Sequence, residues 1–197
     1  MIVAFVGVIY SDSKCPISGN GKTGGMTGIA MLDHYQKNKT IWSNYYTDFS
    51  DKVCGLQEMI DEIGDEQHPD LILCISEMGQ ILNSLGSKTK QVLFVEKFVS
   101  QIRKLEIELY WDAQRFRSIH LRLREFTDVI FIPRKYHFDG LECNYNLCKK
   151  PHKVSLYCYK PEQENNEPKI SFDMSKVGLH YDHKEVIYDK ITLADKE

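Results

Sequence analysis

The residues best suited to chemistry in this chain cluster around Lys22. In the segment ISGNGKTGGMTGIAML, residues 17–32, glycines flank one lysine and a threonine follows it. Glycines let backbone N–H groups approach phosphate oxygens, and a helix that begins nearby adds positive potential. A lysine in this place reaches the outer phosphates of a nucleotide, and the threonine hydroxyl is a magnesium ligand. The predicted nucleotide-binding residues are Ser18, Gly19, Asn20, Gly21, Lys22, Thr23 and Gly24, with Thr23 also a ligand of Mg²⁺.

Two features of this segment depart from the usual phosphate-binding loop. The strict pattern has a further glycine five residues before Gly21, where this chain has Pro16. The stretch from Ser11 to Gly21 is also longer than the usual connection between a strand and such a helix. The alternative interpretation is a flexible glycine turn that carries a surface lysine.

A second candidate group follows the apolar run Leu71–Ile75, which is typical of a buried strand. Nucleotide hydrolysis needs an acidic group at the end of such a strand to polarise the attacking water. Glu77 is the predicted catalytic base, and Ser76, where the common form has aspartate, is predicted to hold a magnesium-bound water. The alternative role of Glu77 is to cap the next helix.

Two further residues complete the predicted catalytic set. Ile107–Trp111 is predicted as a strand that is followed by Asp112, Ala113 and Gln114. Ligands bind at the carboxyl edge of a parallel sheet, so Gln114 is predicted to sense the γ-phosphate. Arg103 closes a predicted helix, and we expect it to reach the nucleotide of a neighbouring subunit as an arginine finger. The alternatives are an ordinary polar residue at a strand end and a solvated charge at a helix end.

The remaining pattern predicts an α/β fold with a parallel sheet. Short, nearly continuous apolar runs alternate with segments whose apolar residues repeat at helical spacing. The predicted strands are Ile2–Ile9, Thr40–Ser43, Leu71–Ile75, Ile107–Trp111 and Val129–Ile132. Two later strands, Val154–Tyr159 and Lys169–Asp173, predict a C-terminal β-hairpin extension. The predicted organisation is a core over residues 1–135 and a β-rich extension over residues 136–197 that packs on it.

Composition limits the classes of function. The chain has 197 residues, 42% of them hydrophobic and 27% charged, which suits one globular domain. A net charge of -3 excludes a protein that coats nucleic acid through bulk positive charge. The six cysteines do not follow the spacing of a disulfide framework, which predicts reduced thiols. No stretch is long and apolar enough to predict a membrane span, and the expected location is the cytoplasm of a host cell or a virion.

Five segments, in order, resemble a known group of proteins: ISGNGKT, IWSNYYTDFS, LILCISEMGQ, VSQIRKLEIELYWDAQR and LRLREFTDVIFIPRK. The chain is similar in these segments to the additional-strand P-loop ATPases of the HerA–FtsK branch. Within that branch it most resembles zonula-occludens-toxin-like ATPases and viral genome-packaging ATPases. The resemblance covers about residues 1–135. It implies a RecA-like core with strand order 5-1-4-3-2.

The same resemblance implies an activity and partners. It implies an ATP-hydrolysing, Mg²⁺-dependent translocase that moves double-stranded DNA as a homo-oligomeric ring, usually a hexamer. A capsid or membrane protein of a virion is a further implied partner. The departures at Pro16 and Ser76 leave an alternative open, a P-loop relic that does not hydrolyse ATP and acts as an assembly or adaptor protein. A P-loop kinase is less favoured, because it would need an arginine-rich lid over the phosphates and a substrate pocket, and it would not need Gln114 at the end of a fourth strand.

Two other groups of residues remain open. Basic residues between positions 115 and 135 predict either DNA phosphate contacts or a solvated face, and the DNA-binding candidates among them are Arg117, Arg122 and Arg124. Four side chains in the segment YHFDGLECNYNLCKKPH are of the types that bind zinc, namely His137, Cys143, Cys148 and His152. Their spacing is looser than the close pairs of most structural zinc sites, and the sequence does not decide whether they bind metal.

Overall fold

A computed structural model describes residues 1–9, 21–82, 90–143, 148–159 and 169–181 of the chain. The predicted nucleotide-binding residues Ser18, Gly19 and Asn20 lie outside these ranges, as does Pro16. The strands are β1 Ile2–Val8, β2 Thr40–Ser43, β3 Lys52–Val53, β4 Leu71–Ile75, β5 Glu108–Arg115, β6 Val129–His137, β7 His152–Cys158 and β8 Ile170–Asp173. The helices are α1 Lys22–Lys37, α2 Leu56–Ile63, α3 Met78–Ile81, α4 Lys90–Gln101, α5 Leu121–Phe126 and α6 Met174–Val177.

These strands form one sheet in the order β3-β2-β4-β5-β1-β6-β7-β8. Pairing is parallel from β3 to β6 and antiparallel between β6, β7 and β8. The five predicted core strands correspond to β1, β2, β4, β5 and β6, and their order across the sheet is 5-1-4-3-2. The predicted strand order and the predicted C-terminal β-hairpin are therefore both confirmed.

The sheet is covered on both faces, as continuous apolar strands require. Along β4, Leu71, Leu73 and Ile75 belong to the apolar cluster under α2 and α4, whereas Ile72 and Cys74 belong to the cluster under α1. The apolar residues at helical spacing, such as Met59 and Ile63 of α2 and Phe98 and Val99 of α4, belong to the first cluster. Each of these helices therefore buries one apolar stripe. In the part of the chain that the structure describes, no helix is both long enough and apolar enough to cross a membrane.

Two predicted strand ends fall several residues short of the structure, and the other strand boundaries differ by at most one or two residues. Strand β5 continues to Arg115 instead of ending at Trp111, so the polar residues after Trp111 lie inside the strand. Strand β6 continues to His137, because antiparallel pairing with β7 extends it as far as the pair His137 and His152. The predicted core boundary at residue 135 therefore falls inside β6.

The C-terminal strands cover a face of α1 that consists of glycines. A Cβ atom added at Gly25 would lie 2.7 Å from Leu156 Cδ2 of β7, and one added at Gly28 would lie 2.9 Å from the ring of Phe172 of β8. The absence of side chains at these positions lets the helix lie directly on the strands. Gly25 and Gly28, which belong to the glycine-rich segment of residues 17–32, therefore have a packing role.

We expect Gly28→Ala to lower the free energy of unfolding by about 1–2 kcal/mol, because the Phe172 ring must shift to admit the methyl group. In an open helix the same change would stabilise the protein by about 0.5–1 kcal/mol. Chemical denaturation followed by circular dichroism measures the difference. Gly79→Ala in α3 is the matched control, since its nearest new contact is Ile119 Cδ1 at 3.6 Å. A Gly28→Ala protein at least as stable as the Gly79→Ala protein would contradict this packing.

Candidate nucleotide-binding site

Of the residues predicted to bind phosphate, Gly21 to Gly24 lie at the start of α1, at the edge of the sheet where β4 and β5 end. Gly21 precedes the helix with a φ of 77°, a left-handed conformation that glycine adopts without strain. Lys22 and Thr23 form the first turn, and only 8% of Lys22 is exposed. The first N–H groups of a helix lack intrahelical acceptors, so this end of α1 offers both donors and positive potential to an anion.

Asp112 of β5 joins the three segments of the site. Its Oδ2 atom accepts hydrogen bonds from Thr23 Oγ1 at 2.6 Å and from Ser76 Oγ at 3.0 Å. Its Oδ1 atom accepts a hydrogen bond from the backbone N–H of Glu77 at 2.8 Å. The predicted residues Thr23, Ser76 and Glu77 are thus brought together by a carboxylate to which the sequence analysis gave no role.

The carboxylate of Asp112 is fully buried. Within the described ranges, no lysine or arginine forms an ion pair with it, and its partners are two hydroxyl groups and one N–H group. Burying a carboxylate without a cation is costly, and such groups in proteins usually meet a counter-charge or a metal ion. Its position favours a divalent cation beside Thr23.

Asn44, which follows β2, holds the end of β4 in place. Its Oδ1 atom accepts a hydrogen bond from the Ser76 N–H at 2.7 Å, and its Nδ2 atom donates to the Ser76 carbonyl at 3.1 Å. Both residues are buried, so these bonds are shielded from water. The side chain of Asn44 therefore fixes the backbone that carries Ser76 into the site. Sequence reasoning missed this residue, because an asparagine after a strand is ordinary turn chemistry.

Glu77 lies at the turn into α3 with a φ of 55°, in the left-handed region. Its side chain is half-buried, and burial raises the pKa of its carboxyl group. The charge of Asp112 raises this pKa further, whereas the Lys22 ammonium group lowers it. Lys22 and Asp112 are therefore both close enough to Glu77 to act on its carboxyl group electrostatically.

The raised pKa of Glu77 makes a prediction for stability. A carboxyl group with a higher pKa in the folded state contributes stability below its ordinary pKa of 4.5, and this contribution is lost as pH rises through the folded-state value. Above that value, burial disfavours the ionised form. We therefore expect Glu77→Gln to raise the melting temperature of the nucleotide-free protein at pH 7–8, with a gain that shrinks as pH falls towards 4.5.

Thermal unfolding followed by circular dichroism across this pH range measures the effect. The N–H group of Glu77 that donates to Asp112 is retained in the variant. The exposed residue Glu66 provides the control, since Glu66→Gln changes the same group outside the site. Equal pH dependence in the two variants would contradict the buried position of Glu77.

Among the described residues, no hydrogen bond or ion pair joins Gln114 or Arg103 to this cluster. Gln114 is exposed on β5, beyond Asp112. Arg103 donates to Asp128 Oδ1 at 2.6 Å, and Asp128 also accepts a hydrogen bond from the N–H of Ile2. This places Arg103 at the amino end of the sheet, away from the end that carries Glu77. A role for Arg103 in the nucleotide site of a neighbouring subunit stays a prediction, as does the sensor role of Gln114.

The candidate DNA-binding residues lie in and before α5. Arg117 belongs to a single turn of 3-10 helix, Phe116–Ser118, and both Arg122 and Arg124 lie in α5. Arg122 is exposed and lies 3.7 Å from Glu125 Oε2. Their role in binding DNA stays a prediction.

The C-terminal extension closes one side of the site. A Cβ atom added at Gly24 would lie 3.0 Å from the Tyr181 hydroxyl and closer still to Met174 of α6. Burial, and then the charge of Asp112, raise the pKa of Tyr181 to about 12. A cavity of about 530 Å³ lies beside Gly21. Residues of β7 and α6, together with Lys135 and Lys150, are among those that line the rest of it. The extension therefore forms part of the surroundings of the phosphate-binding segment.

This arrangement of strands is found in a solved bacterial structure. The N-terminal domain of zonular occludens toxin from Neisseria meningitidis matches 91% of this chain over 98% of its own length, with a TM-score of 0.53 and 13% identity. The two proteins share a fold. The resemblance that the sequence segments indicated is thus confirmed at the level of the fold, and an identity this low is evidence for the fold alone.

A second solved structure gives a weaker match. It is the genome packaging NTPase B204 from Sulfolobus turreted icosahedral virus 2 in complex with ATP-gammaS, with a TM-score of 0.46 and 11% identity. The match covers 82% of this chain and 98% of that one. No protein-family model and no curated protein matches the sequence.

Proposed function

We propose that this protein is a Mg²⁺-dependent P-loop ATPase that uses ATP hydrolysis to move double-stranded DNA. The observation that carries the proposal is the cluster of Thr23, Ser76, Glu77 and Asp112 beside the buried Lys22. Three separate segments of the sequence supply these groups. Their convergence at the carboxyl edge of the sheet is what nucleotide hydrolysis requires.

The triphosphate binds at the amino end of α1. Gly21 and the first N–H groups of the helix donate to phosphate oxygens, and the Lys22 ammonium group neutralises the outer phosphates. Because Lys22 is buried, its charge acts where water screens it little. The cavity beside Gly21 leaves room for the rest of the nucleotide next to the C-terminal extension.

The donor set at Asp112 fits magnesium. A buried carboxylate and the hydroxyl groups of Thr23 and Ser76 are all oxygen donors, which Mg²⁺ prefers, and the metal would hold the outer phosphates and neutralise their charge. Thr23 and Asp112 are the residues proposed to bind it. Asp112 thereby takes the metal-binding role that was predicted for Ser76. Ser76 then hydrogen-bonds the carboxylate and orients it.

Glu77 is the proposed general base. A water oxygen attacks the γ-phosphorus, the bond to the β–γ bridging oxygen breaks, and the proton of the water passes to the Glu77 carboxylate. ADP and phosphate are the products. A raised pKa makes this carboxylate a stronger base than an ordinary glutamate, which favours proton removal.

Coupling to DNA requires a ring of subunits in this proposal. Arg103 forms an ion pair with Asp128, and most of its side chain is exposed. As an arginine finger it would have to reach the nucleotide of an adjacent subunit. Gln114 would read the state of the γ-phosphate, and Arg117, Arg122 and Arg124 would contact DNA phosphates. The roles of Arg103 and Gln114 and the ring itself rest on the resemblance of the sequence segments, and the DNA contacts rest on the cluster of basic residues between positions 115 and 135.

Phosphate release from ATP, measured with and without double-stranded DNA at several salt concentrations, tests this function. We expect a basal rate that DNA increases, with a stimulation that weakens as salt rises because phosphate contacts release counter-ions. Turnover without any response to DNA would contradict translocation. Nucleotide binding with no turnover at any DNA concentration would instead support the relic that acts in assembly.

A further inference from the structure

The four zinc-ligand types that the sequence left undecided lie together at one end of the C-terminal hairpin. One ligand atom from each of His137, Cys143, Cys148 and His152 falls within 4.8 Å of the other three. His137 ends β6 and His152 begins β7, and the two are directly opposed in the antiparallel register. Their rings are 4.7 Å apart between centroids. The pairing of β6 with β7 is therefore what brings the histidines together.

The turn after β6 brings Cys143 back to the same place. The His137 N–H donates to the Leu141 carbonyl at 2.9 Å, and Gly140 adopts a left-handed φ of 87° that the tight turn needs. The Cys143 N–H then donates to the Lys135 carbonyl at 2.7 Å. Only 7% of Cys143 is exposed. The backbone thus holds this thiol against the end of β6.

The two histidines carry an independent sign of a missing partner. His152 is 8% exposed, and its Nε2 atom is buried without a hydrogen bond to any described residue. The Nδ1 atom of His137 is likewise buried and has no hydrogen-bond partner among the described residues. Buried polar atoms in folded proteins are nearly always paired, and each exception calls for an unseen partner such as water or an ion. A metal ion would satisfy both nitrogens.

We propose that His137, Cys143, Cys148 and His152 form a structural Zn²⁺ site. Two thiolates and two imidazoles are a common donor set for structural zinc, and four protein ligands leave no open position for catalysis. Zinc–sulfur bonds of about 2.3 Å and zinc–nitrogen bonds of about 2.0–2.1 Å put tetrahedral ligand atoms about 3.3–3.8 Å apart. Small side-chain movements bring the observed cluster, with its limit of 4.8 Å, to that geometry.

The position of the site gives it a consequence for the rest of the molecule. Cys148 and His152 also line the cavity beside Gly21, together with Lys150. Zinc would fix Cys143 and Cys148 against the paired ends of β6 and β7. The wall of the cavity next to the phosphate-binding segment would then be rigid. The metal site itself does not depend on ATP hydrolysis.

Metal analysis of the purified full-length protein tests the proposal. We expect one zinc per chain, retained through dialysis and released when both thiols are modified. Cys143→Ser and Cys148→Ser should each lose most of this zinc, whereas Cys158→Ser, on β7 and outside the cluster, should keep it. Circular dichroism establishes that each variant is folded. If the variants do not fold, cobalt substitution of the wild-type protein decides, because two thiolates in a tetrahedral site give cobalt charge-transfer and d–d bands.

Several results would overturn the site. Folded wild-type protein without zinc after growth and purification in zinc-containing medium would do so, and so would a Cys143–Cys148 disulfide found by thiol counting and mass. Equal zinc in the wild-type protein and in both cysteine variants would mean an adventitious ion only. None of these readouts depends on ATP turnover, so failure of the zinc site and failure of the proposed ATPase are distinguishable.

Discussion

Lys22→Ala should abolish ATP turnover, with a loss of about hundredfold or more in the rate of phosphate release. The Lys22 side chain lies buried at the start of α1, where we propose that it binds the outer phosphates. Its charge lowers the pKa of the Glu77 carboxyl group, which Asp112 raises. Alanine leaves those carboxylates to repel the triphosphate. Phosphate release under saturating Mg²⁺ and ATP measures the effect.

The control for this variant is Lys97→Ala, which removes an exposed lysine from α4 on the other face of the sheet. It should turn over ATP at the wild-type rate. Circular dichroism of both variants separates a loss of chemistry from a loss of fold. If folded Lys22→Ala protein hydrolyses ATP as fast as the wild type, Lys22 does not bind the phosphates.

Asp112→Asn is the second change with a large expected effect. It should raise the Mg²⁺ concentration needed for half-maximal turnover by about 10- to 100-fold, because the amide replaces the charged oxygen proposed to hold the metal beside Thr23. The fold should survive. An asparagine oxygen still accepts the Glu77 N–H, and its NH₂ group donates to the hydroxyl oxygens of Thr23 and Ser76, which can reverse their roles.

The stability of the nucleotide-free Asp112→Asn protein sharpens this prediction. Removing a buried charge that has no cation partner among the described residues should leave the melting temperature unchanged or raise it. Asp61→Asn, on the exposed face of α2, is the control for the substitution itself. A folded Asp112→Asn protein with wild-type magnesium dependence would show that Asp112 does not bind the metal.

Much of the core was predictable because its elements are encoded locally. Thr40–Ser43 and Leu71–Ile75 are short apolar runs with polar boundaries on both sides, and the structure has strands with those limits. Helices α2 and α4 follow from apolar residues at helical spacing. The strand order followed from the resemblance, since parallel strands joined by helices are compatible with several orders.

Asp112 shows why part of the site was not predictable. An aspartate after an apolar run looks like the polar end of a strand, which is where the predicted limits of the strand left Asp112. In the structure it is fully buried inside β5, because Thr23 and Ser76 supply hydroxyl partners from distant positions in the chain. Only the three-dimensional structure, in which β4 pairs with β5 and α1 begins beside them, reveals those partners.

The sequence left the four candidate zinc ligands undecided for a related reason. Its spacing along the chain is loose, but antiparallel pairing places His137 opposite His152. Zinc patterns read from sequence assume that ligands come in close pairs, and a hairpin removes that requirement.

The glycines of α1 are a similar case. A local pattern does not distinguish the glycine that binds phosphate from Gly28, whose role is to admit Phe172.

Equilibrium titration of the wild-type protein with a fluorescent ATP analogue, with and without Mg²⁺, tests the nucleotide site most directly. The account predicts saturable binding of one nucleotide per chain that Mg²⁺ strengthens, and binding about hundredfold weaker in Lys22→Ala. No saturable binding by folded wild-type protein, or the same dissociation constant in the Lys22→Ala variant, would contradict it.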